Sequence, residues 1–215
     1  MISFHNVSKS YPVSGGLKTV IDQVSATFPP GRSTAIIGRN GAGKSTLLRL
    51  LSGSENPDHG YIERKATASW PLGFKSGLHG SLNGRENIAF ISRIYGQNFR
   101  EMLEFVEDFA DIGNHMNDEV KYYSNGMKAR LSFGISMAIS FDYYLIDEVI
   151  AVGDAAFKRK CKQVLGEKLK TATVLLVSHS NSLMREFCDY GMVMEDGQLH
   201  DLGNLEDAIS YYGSL

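Results

Sequence analysis

The sequence is poor in cysteine and contains no long hydrophobic run. Its two cysteines, Cys161 and Cys188, lie far apart and form no CxxC pair. They are typical of ordinary thiols in a reducing compartment. The most apolar stretch, Leu131 to Phe141, is too short and too polar to span a bilayer. The six histidines are scattered, and no Cys/His spacing fits a zinc site.

A large charge of one sign is also missing. The 22 Lys and Arg residues against 24 Asp and Glu residues leave a formal charge of −2, so we expect no nucleic-acid partner. The start, MISFHNVSKSYP, lacks the basic-then-apolar layout of a signal peptide. The composition therefore predicts a protein that is cytosolic or held on the cytosolic side of a membrane by a partner. With 215 residues, 43% of them hydrophobic, we expect one α/β domain, with at most an inserted subdomain.

What the sequence does contain is a phosphate-binding loop. GRNGAGKST matches the pattern G-x-x-x-x-G-K-[ST]. Its glycines let backbone N–H groups curl around phosphate oxygens, and the helix that follows adds the partial positive charge of its N-terminus. A buried strand is predicted before the loop, from Ser33 to Ile37, and a helix after it, from Thr46 to Gly53. The predicted nucleotide-binding residues are Gly38, Arg39, Asn40, Gly41, Ala42, Gly43, Lys44, Ser45 and Thr46.

Within this loop, two side chains have a direct chemical role in the prediction. Lys44 is placed to reach the β- and γ-phosphates, which also makes it a candidate catalytic residue. The Ser45 hydroxyl is placed to ligate Mg²⁺. The sequence therefore predicts that the protein binds a nucleoside triphosphate.

A pair of carboxylates follows a second apolar run. YYLIDE predicts a buried strand with Asp147 and Glu148 at its C-terminal end, the edge where open α/β sheets bind ligands. Asp147 is placed to hold Mg²⁺, and Glu148 to polarise the attacking water. A solvated acidic turn is a plausible alternative for one carboxylate but less so for the pair. The strand from Thr171 to Ser180 carries His179, for which a γ-phosphate contact is favoured over a merely satisfied polar side chain.

An antiparallel hairpin is predicted at the start of the chain, from Ile2 to Tyr11 and from Leu17 to Phe28. Tyr11 precedes Pro12, and its ring is placed to stack on an adenine. A core tyrosine at a strand end is an equally good interpretation. Further along, YGMVMEDGQL predicts a second hairpin on an Asp-Gly turn.

A helical period begins near Asn87 and continues to about Asp111, and predicts a helical insertion between two strands of the core sheet, at about 74–140. On its first helix, Ile88, Ile91, Ile94 and Tyr95 fit one apolar face. Ser124 then predicts an N-cap, and the Ser-Asn-Gly start of this helix offers a second phosphate-binding end, although most serine caps contact no ligand.

The order and spacing of these motifs resemble the nucleotide-binding subunit of an ABC transporter over essentially the whole chain. YSNGM is similar to the family's LSGGQ signature, with Asn125 and Met127 as departures. The resemblance assigns Ser124, Asn125 and Gly126 to nucleotide binding. It also matches the D-loop aspartate to Asp154, the switch histidine to His179, and the adenine-stacking aromatic residue to Tyr11.

The resemblance implies a P-loop NTPase (RecA-like) core with an N-terminal antiparallel β subdomain and an inserted α-helical subdomain, in one domain from 1 to 215. It implies Mg²⁺-dependent ATP hydrolysis by a homodimer that sandwiches two ATP molecules and works with an integral membrane permease. The family normally has a glutamine near 74–76, but no Gln occurs between Gln23 and Gln97. Ser76 and His79 are the candidate replacements.

Within the family, the sequence is similar to ATPases that power capsular polysaccharide export in Gram-negative bacteria. It rests on the stretch from Ser69 to Gly96, on YSNGMKARLSF and on LIDEVIAVGDAAFKRKC. O-antigen and teichoic-acid exporters share much of this pattern, but several O-antigen ATPases carry an added C-terminal domain, so a chain ending at Leu215 favours the capsule type. The implied location is the cytoplasmic face of the bacterial inner membrane, with polysaccharide export proteins as further partners.

Two other classes of function are alternatives to transport. A non-transport ABC ATPase that acts on ribosomes or DNA usually carries tandem cassettes or a long coiled-coil insertion, and this sequence has neither. A P-loop kinase or GTPase is disfavoured by the signature helix, the adjacent glutamate and the histidine. A GTPase would also need an N-K-x-D motif, which is absent.

Overall fold

The computed structural model describes residues 1–72, 77–147 and 155–215. These residues form two units by their internal contacts. The first unit comprises 1–71, 141–147 and 171–215, and the second comprises 72, 77–140 and 155–170. The expectation of one domain from 1 to 215, with a helical insertion at about 74–140, stays a prediction.

The helices and strands alternate in the manner of an α/β protein. In chain order they are β1 (Ile2–Val13), β2 (Gly16–Phe28), β3 (Thr34–Ile37), α1 (Lys44–Ser52), β4 (His59–Arg64), α2 (Gly84–Ile94), α3 (Phe99–Ala110), two short 3₁₀ helices (Gly113–Asn117 and Val120–Tyr122), α4 (Asn125–Ala138), β5 (Tyr143–Asp147), α5 (Ala155–Lys168), β6 (Thr173–Val177), α6 (Asn181–Phe187), β7 (Tyr190–Glu195), β8 (Gln198–Asn204) and α7 (Leu205–Gly213).

The first unit contains two sheets. An antiparallel sheet has the order β2-β1-β4, which confirms the predicted N-terminal hairpin. A second sheet has the order β5-β6-β3-β7-β8, in which every pair is parallel except the β7–β8 hairpin. Ile36 of β3 and Asp147 of β5 both pair with Val177 of β6. The carboxyl ends of β3, β5 and β6 therefore meet at one edge of the sheet.

The helix after the phosphate loop is anchored in the core of the first unit. Leu47, Leu48, Leu50 and Leu51 of α1 have no exposed surface, because their spacing puts them on the face that packs against the sheets. Burial of each such side chain contributes about 1.5–3 kcal/mol to folding. The packing of α1 therefore fixes the position of the helix end to which the phosphate loop is joined.

The second unit is built from α2, α3, α4 and α5. Phe109 of α3 lies at its centre, stacked on Phe133 of α4 and edge-to-face against Phe157 of α5, at centroid distances of 5.7 and 5.3 Å. The prediction of an apolar face on α2 is right for two of its four residues. Ile88 and Ile91 are buried, but Ile94 and Tyr95 are 58% and 39% exposed. The helix ends at Ile94 and the chain turns at Gly96, where φ is 63°, so the last turn lies outside the packed face.

The structure bears on the two cysteines and on the question of membrane-spanning helices. Cys161 and Cys188 are buried and free, and burial raises the pKa of each thiol to about 12. Over the ranges the structure describes, no helix has both the length and the apolar character needed to cross a membrane.

Candidate nucleotide site

The phosphate loop joins β3 to α1 and brings the backbone close to two neighbouring strands. Gly43 precedes the first residue of α1 with φ of 109°. A Cβ atom there would lie 2.8 Å from the Val20 carbonyl oxygen and 3.1 Å from the Met194 methyl carbon. Among the described residues no side chain caps α1. The first N–H groups of this helix therefore face the loop without a cap, which is the arrangement that binds an anion.

The lysine of the loop points back across it. The Lys44 side chain is buried, and its Nζ donates to the carbonyl oxygens of Gly38 at 2.5 Å and Arg39 at 2.9 Å. A buried ammonium next to a helix N-terminus creates a strongly positive environment. It borders a cavity of about 360 Å³ in the first unit. This cavity is lined by Val20, Asn40, Gly41, Gly43, Lys44, Ser45, Thr46, Asp147, Val177 and His179.

Two oxygen donors meet on one side of this cavity. The Ser45 hydroxyl of α1 donates to Asp147 Oδ2 at the end of β5, at 3.0 Å. These residues are 102 positions apart in the chain, and the parallel register of β5, β6 and β3 brings them together. Hydroxyl and carboxylate oxygens are ligands that Mg²⁺ accepts, and the ion usually takes only one or two of them from the protein when phosphates are bound. The donor set thus fits Mg²⁺.

The predicted switch histidine lies at the same edge of the sheet. His179 follows β6, is exposed, and has its Nε2 3.1 Å from Oδ1 of Asn40 in the phosphate loop. It therefore borders the same cavity as Lys44 and Asp147.

Tyr11 lies beside the last residue of the loop, and its hydroxyl is already engaged. It donates to Glu55 Oε2 at 2.7 Å, accepts from Arg49 Nη2 at 3.0 Å, and is 3.4 Å from Thr46 Oγ1. Burial raises the pKa of the Glu55 carboxyl, but hydrogen bonds from Tyr11 and Arg49 outweigh it and hold that pKa below its usual range. Sequence reasoning missed Arg49 and Glu55, because neither belongs to a motif. Stacking of Tyr11 on adenine stays a prediction.

The signature residues belong to the second unit. Ser124 is the N-cap of α4, as predicted, and its Oγ accepts from the Met127 N–H at 3.2 Å. Asn125 is exposed and Gly126 partly exposed. Three predicted residues, Glu148, Asp154 and Ser76, lie outside the described residues, so their roles stay predictions.

A mostly parallel sheet with a phosphate loop after β3 and a carboxylate at the end of β5 defines a P-loop nucleotide-binding protein. Residues 21–151 match the ABC transporter family. The chain belongs to the family of ABC transporter ATP-binding proteins, which confirms both the resemblance and the predicted fold class.

Individual relatives agree with this assignment. The chain is 48% identical over 215 residues to the capsule polysaccharide export ATP-binding protein CtrD of Neisseria meningitidis serogroup B, covering 100% of both. It is 47% identical over 201 residues to the polysialic acid transport ATP-binding protein KpsT of Escherichia coli, covering 93% of this chain and 90% of that protein. Its fold is similar to a dimeric post-hydrolysis state of the ATP-binding cassette MJ0796 bound to ADP and Pi, with a TM-score of 0.80, 19% identity, and coverage of 95% and 99%.

Proposed function

We propose that this chain is the ATP-binding and ATP-hydrolysing subunit of an exporter that moves capsular polysaccharide across the inner membrane. One observation carries the proposal. The phosphate loop, Ser45 and Asp147 meet at one sheet edge in a chain that is 48% identical, over its whole length, to a capsule polysaccharide export ATP-binding protein. The proposed location is the cytoplasmic face of that membrane, where the subunit is held by an integral membrane permease.

Binding of ATP is the part best supported by contacts. The uncapped N-terminus of α1 and the Lys44 ammonium supply positive charge to the phosphates. Ser45 and Asp147 would hold Mg²⁺, which when bound offsets negative charge on the phosphate oxygens. The Tyr11 hydroxyl lies near Thr46 at the end of the loop, which supports a stacking contact between the tyrosine ring and the base of a nucleotide whose phosphates lie in the loop.

In hydrolysis, water attacks the γ-phosphorus and the bond to the ADP oxygen breaks. Glu148 orients that water and accepts its proton. His179, which contacts Asn40 of the loop, stabilises the charge that develops on the γ-phosphate. Because the transferred group passes through a loose transition state, positioning and charge stabilisation account for most of the rate.

The site is proposed to be completed by a second copy of the chain. Each ATP would lie between the phosphate loop of one protomer and the Ser124–Gly126 end of α4 in its partner, with Asp154 linking the two sites. A serine-capped helix start with exposed residues supports this role, as does similarity to a cassette solved as a dimer. ATP binding then closes the dimer, and hydrolysis lets it reopen because the γ-phosphate was part of the interface.

The first experiment tests the chemistry. The Glu148→Gln variant is expected to form ATP-dependent dimers that no longer turn over, as measured by size-exclusion chromatography and phosphate release. Glu104→Gln, at an exposed position of α3, is the matched control and should hydrolyse ATP like the unsubstituted protein. Hydrolysis by Glu148→Gln at the unsubstituted rate would remove Glu148 from its proposed role.

The second experiment tests the exporter assignment. A tagged chain is purified from detergent-solubilised membranes of its own cell, and the proteins that accompany it are identified by mass spectrometry. Recovery of a polytopic permease together with polysaccharide export proteins is expected. Recovery of ribosomal proteins or DNA-repair factors, without a membrane protein, would leave the ATPase proposal standing and refute export.

A further inference from the structure

A buried asparagine closes the loop that leads into α2. The Asn87 side chain has no exposed surface. Its Oδ1 accepts from the His79 N–H at 2.7 Å. Its Nδ2 shares its two protons among the carbonyl oxygens of His79, Leu82 and Asn83, at 3.1, 3.2 and 2.9 Å. One side chain thus bonds to both ends of the loop 79–83, and truncating it removes all of these contacts at a buried position.

The other side of the same loop is bonded to the segment that precedes α4. The Val120 N–H donates to the Leu82 carbonyl at 2.9 Å, and the Lys121 N–H donates to the Gly80 carbonyl at 2.8 Å. The Leu82 carbonyl therefore accepts from both Asn87 and Val120. Because a carbonyl oxygen has two lone pairs, it serves as a direct junction between the asparagine and this segment.

This segment continues without a break to the start of the signature helix. The 3₁₀ helix Val120–Tyr122 is followed by Tyr123, which is buried and donates its hydroxyl to the His115 carbonyl at 2.5 Å. Ser124, the N-cap of α4, is the next residue. With Tyr123 fixed on one side and Val120 bonded to the loop on the other, the backbone has little freedom to move Ser124 independently.

We infer that Asn87 is a positioning residue for the Ser124–Gly126 end of α4. It shapes the loop 79–83, the loop sets the position of 120–121, and that segment sets where the exposed N-terminus of α4 points. The inference rests on the proposed function, in which this end contacts the ATP held by the partner protomer. Asn87 itself is buried and acts only through the backbone that it holds.

Hydrogen–deuterium exchange on the whole chain, without nucleotide, tests the structural step. In Asn87→Ala, the amides of Val120, Lys121 and Met127 are expected to exchange about tenfold faster or more, while α3 keeps its protection. The matched control is Asn98→Ala, which removes the N-cap of α3 in the same unit. It should loosen the first turn of α3 and leave 120–127 unchanged. Unchanged exchange at 120–127 in Asn87→Ala, or a uniform increase throughout the second unit, overturns the inference.

The functional step is tested with Asn87→Asp, which keeps the size of the side chain but turns an acceptor toward the three carbonyls. Turnover of ATP is expected to fall about tenfold, while the Kd of the isolated chain for a fluorescent ATP analogue changes less than about twofold. An equal loss of both, in parallel with a lower Tm, indicates a role in folding only and refutes positioning. Failure of the proposed function has another signature, because an unsubstituted chain that neither binds nor hydrolyses ATP would refute that function while the exchange result stands.

Discussion

Two helices of this molecule, α1 and α4, begin at residues proposed to face phosphate, and they begin differently. Before α1 stands Gly43 in the left-handed region, with no side-chain cap among the described residues. Before α4 stands Ser124 in extended conformation, and its own Oγ accepts from the Met127 N–H. Both N-termini carry partial positive charge. The N–H donors at the start of α1 are left for a ligand, whereas the Met127 N–H donor of α4 is already satisfied by Ser124.

The two helix starts also differ in their exposure to solvent. Lys44 is buried at the start of α1, whereas Ser124 and Asn125 at the start of α4 are exposed. Electrostatic attraction is stronger where water is excluded. Under the proposed function, α1 would bind phosphate within one protomer, whereas α4 would become an effective contact only when a second surface covers it.

The largest expected effect concerns the two glycines at these starts. Gly43→Ala is expected to lower the free energy of unfolding by about 3 kcal/mol, because the methyl group meets Val20 and Met194 in a backbone region unsuited to alanine. At Gly126 the one contact that a Cβ would make with the described residues is to Ser124 Oγ, at 3.8 Å. Gly126→Ala should therefore change stability by less than about 1 kcal/mol. Urea unfolding measures both, and equal losses would contradict the comparison.

The next effect is on nucleotide affinity. Lys44→Ala is expected to weaken ATP binding about 100-fold, or about 2.7 kcal/mol, because charge-assisted hydrogen bonds to the phosphates are lost. Lys158→Ala, at an exposed position of α5, is the control and should bind normally. Titration with a fluorescent ATP analogue measures both. A change of less than about threefold in Lys44→Ala would show that α1 binds phosphate without its lysine.

A smaller effect is expected at the start of α4. Ser124→Ala should lower turnover about tenfold, equivalent to about 1.4 kcal/mol, with ATP affinity of the isolated chain unchanged. It also removes a cap, which costs about 1 kcal/mol of stability. Asn204→Ala removes the comparable cap of α7, where Asn204 accepts from Glu206, and controls for that loss. If both variants lose turnover equally, the exposed start of α4 has no special role.

The smallest expected effect is a pH dependence of stability, which involves Glu55 near α1. The pKa of Glu55 is lowered in the folded chain, so its contribution to stability is present above the unfolded pKa and is lost as the pH falls through the folded one. Tyr11→Phe removes one bond that lowers this pKa. The variant should therefore be less stable at neutral pH by about 0.5 kcal/mol, a modest figure because the group is partly solvated.

The matching measurement is denaturant unfolding of Tyr11→Phe and the unsubstituted chain at about pH 7 and about pH 3, on either side of the usual Glu pKa. The stability difference should shrink in acid. A difference of the same size at both pH values would show that Glu55 is not the partner that matters. ATP affinity should stay within about twofold, because the ring that is proposed to stack is retained.

The elements that depend on a local pattern could be predicted from the sequence. The phosphate loop, the strand before it and the helix after it could be placed because glycine spacing and apolar runs act over a few residues. The Asp196-Gly197 turn of the β7–β8 hairpin follows the same logic, with φ of 45° and 80°. The exposed end of α2 at Ile94 was missed, because periodicity does not tell where the packing partner of a helix ends.

By itself, the sequence determined the class of protein, the phosphate loop and the cap of α4, because each depends on residue types at short spacing. Only the tertiary structure decided which distant groups meet. Parallel strand register brings Ser45 to Asp147 and Asn40 to His179, and side-chain packing brings Tyr11 to Glu55 and Asn87 to the loop 79–83. No local pattern encodes these contacts, because they arise when segments far apart in the chain are buried together and must satisfy each other's hydrogen bonds.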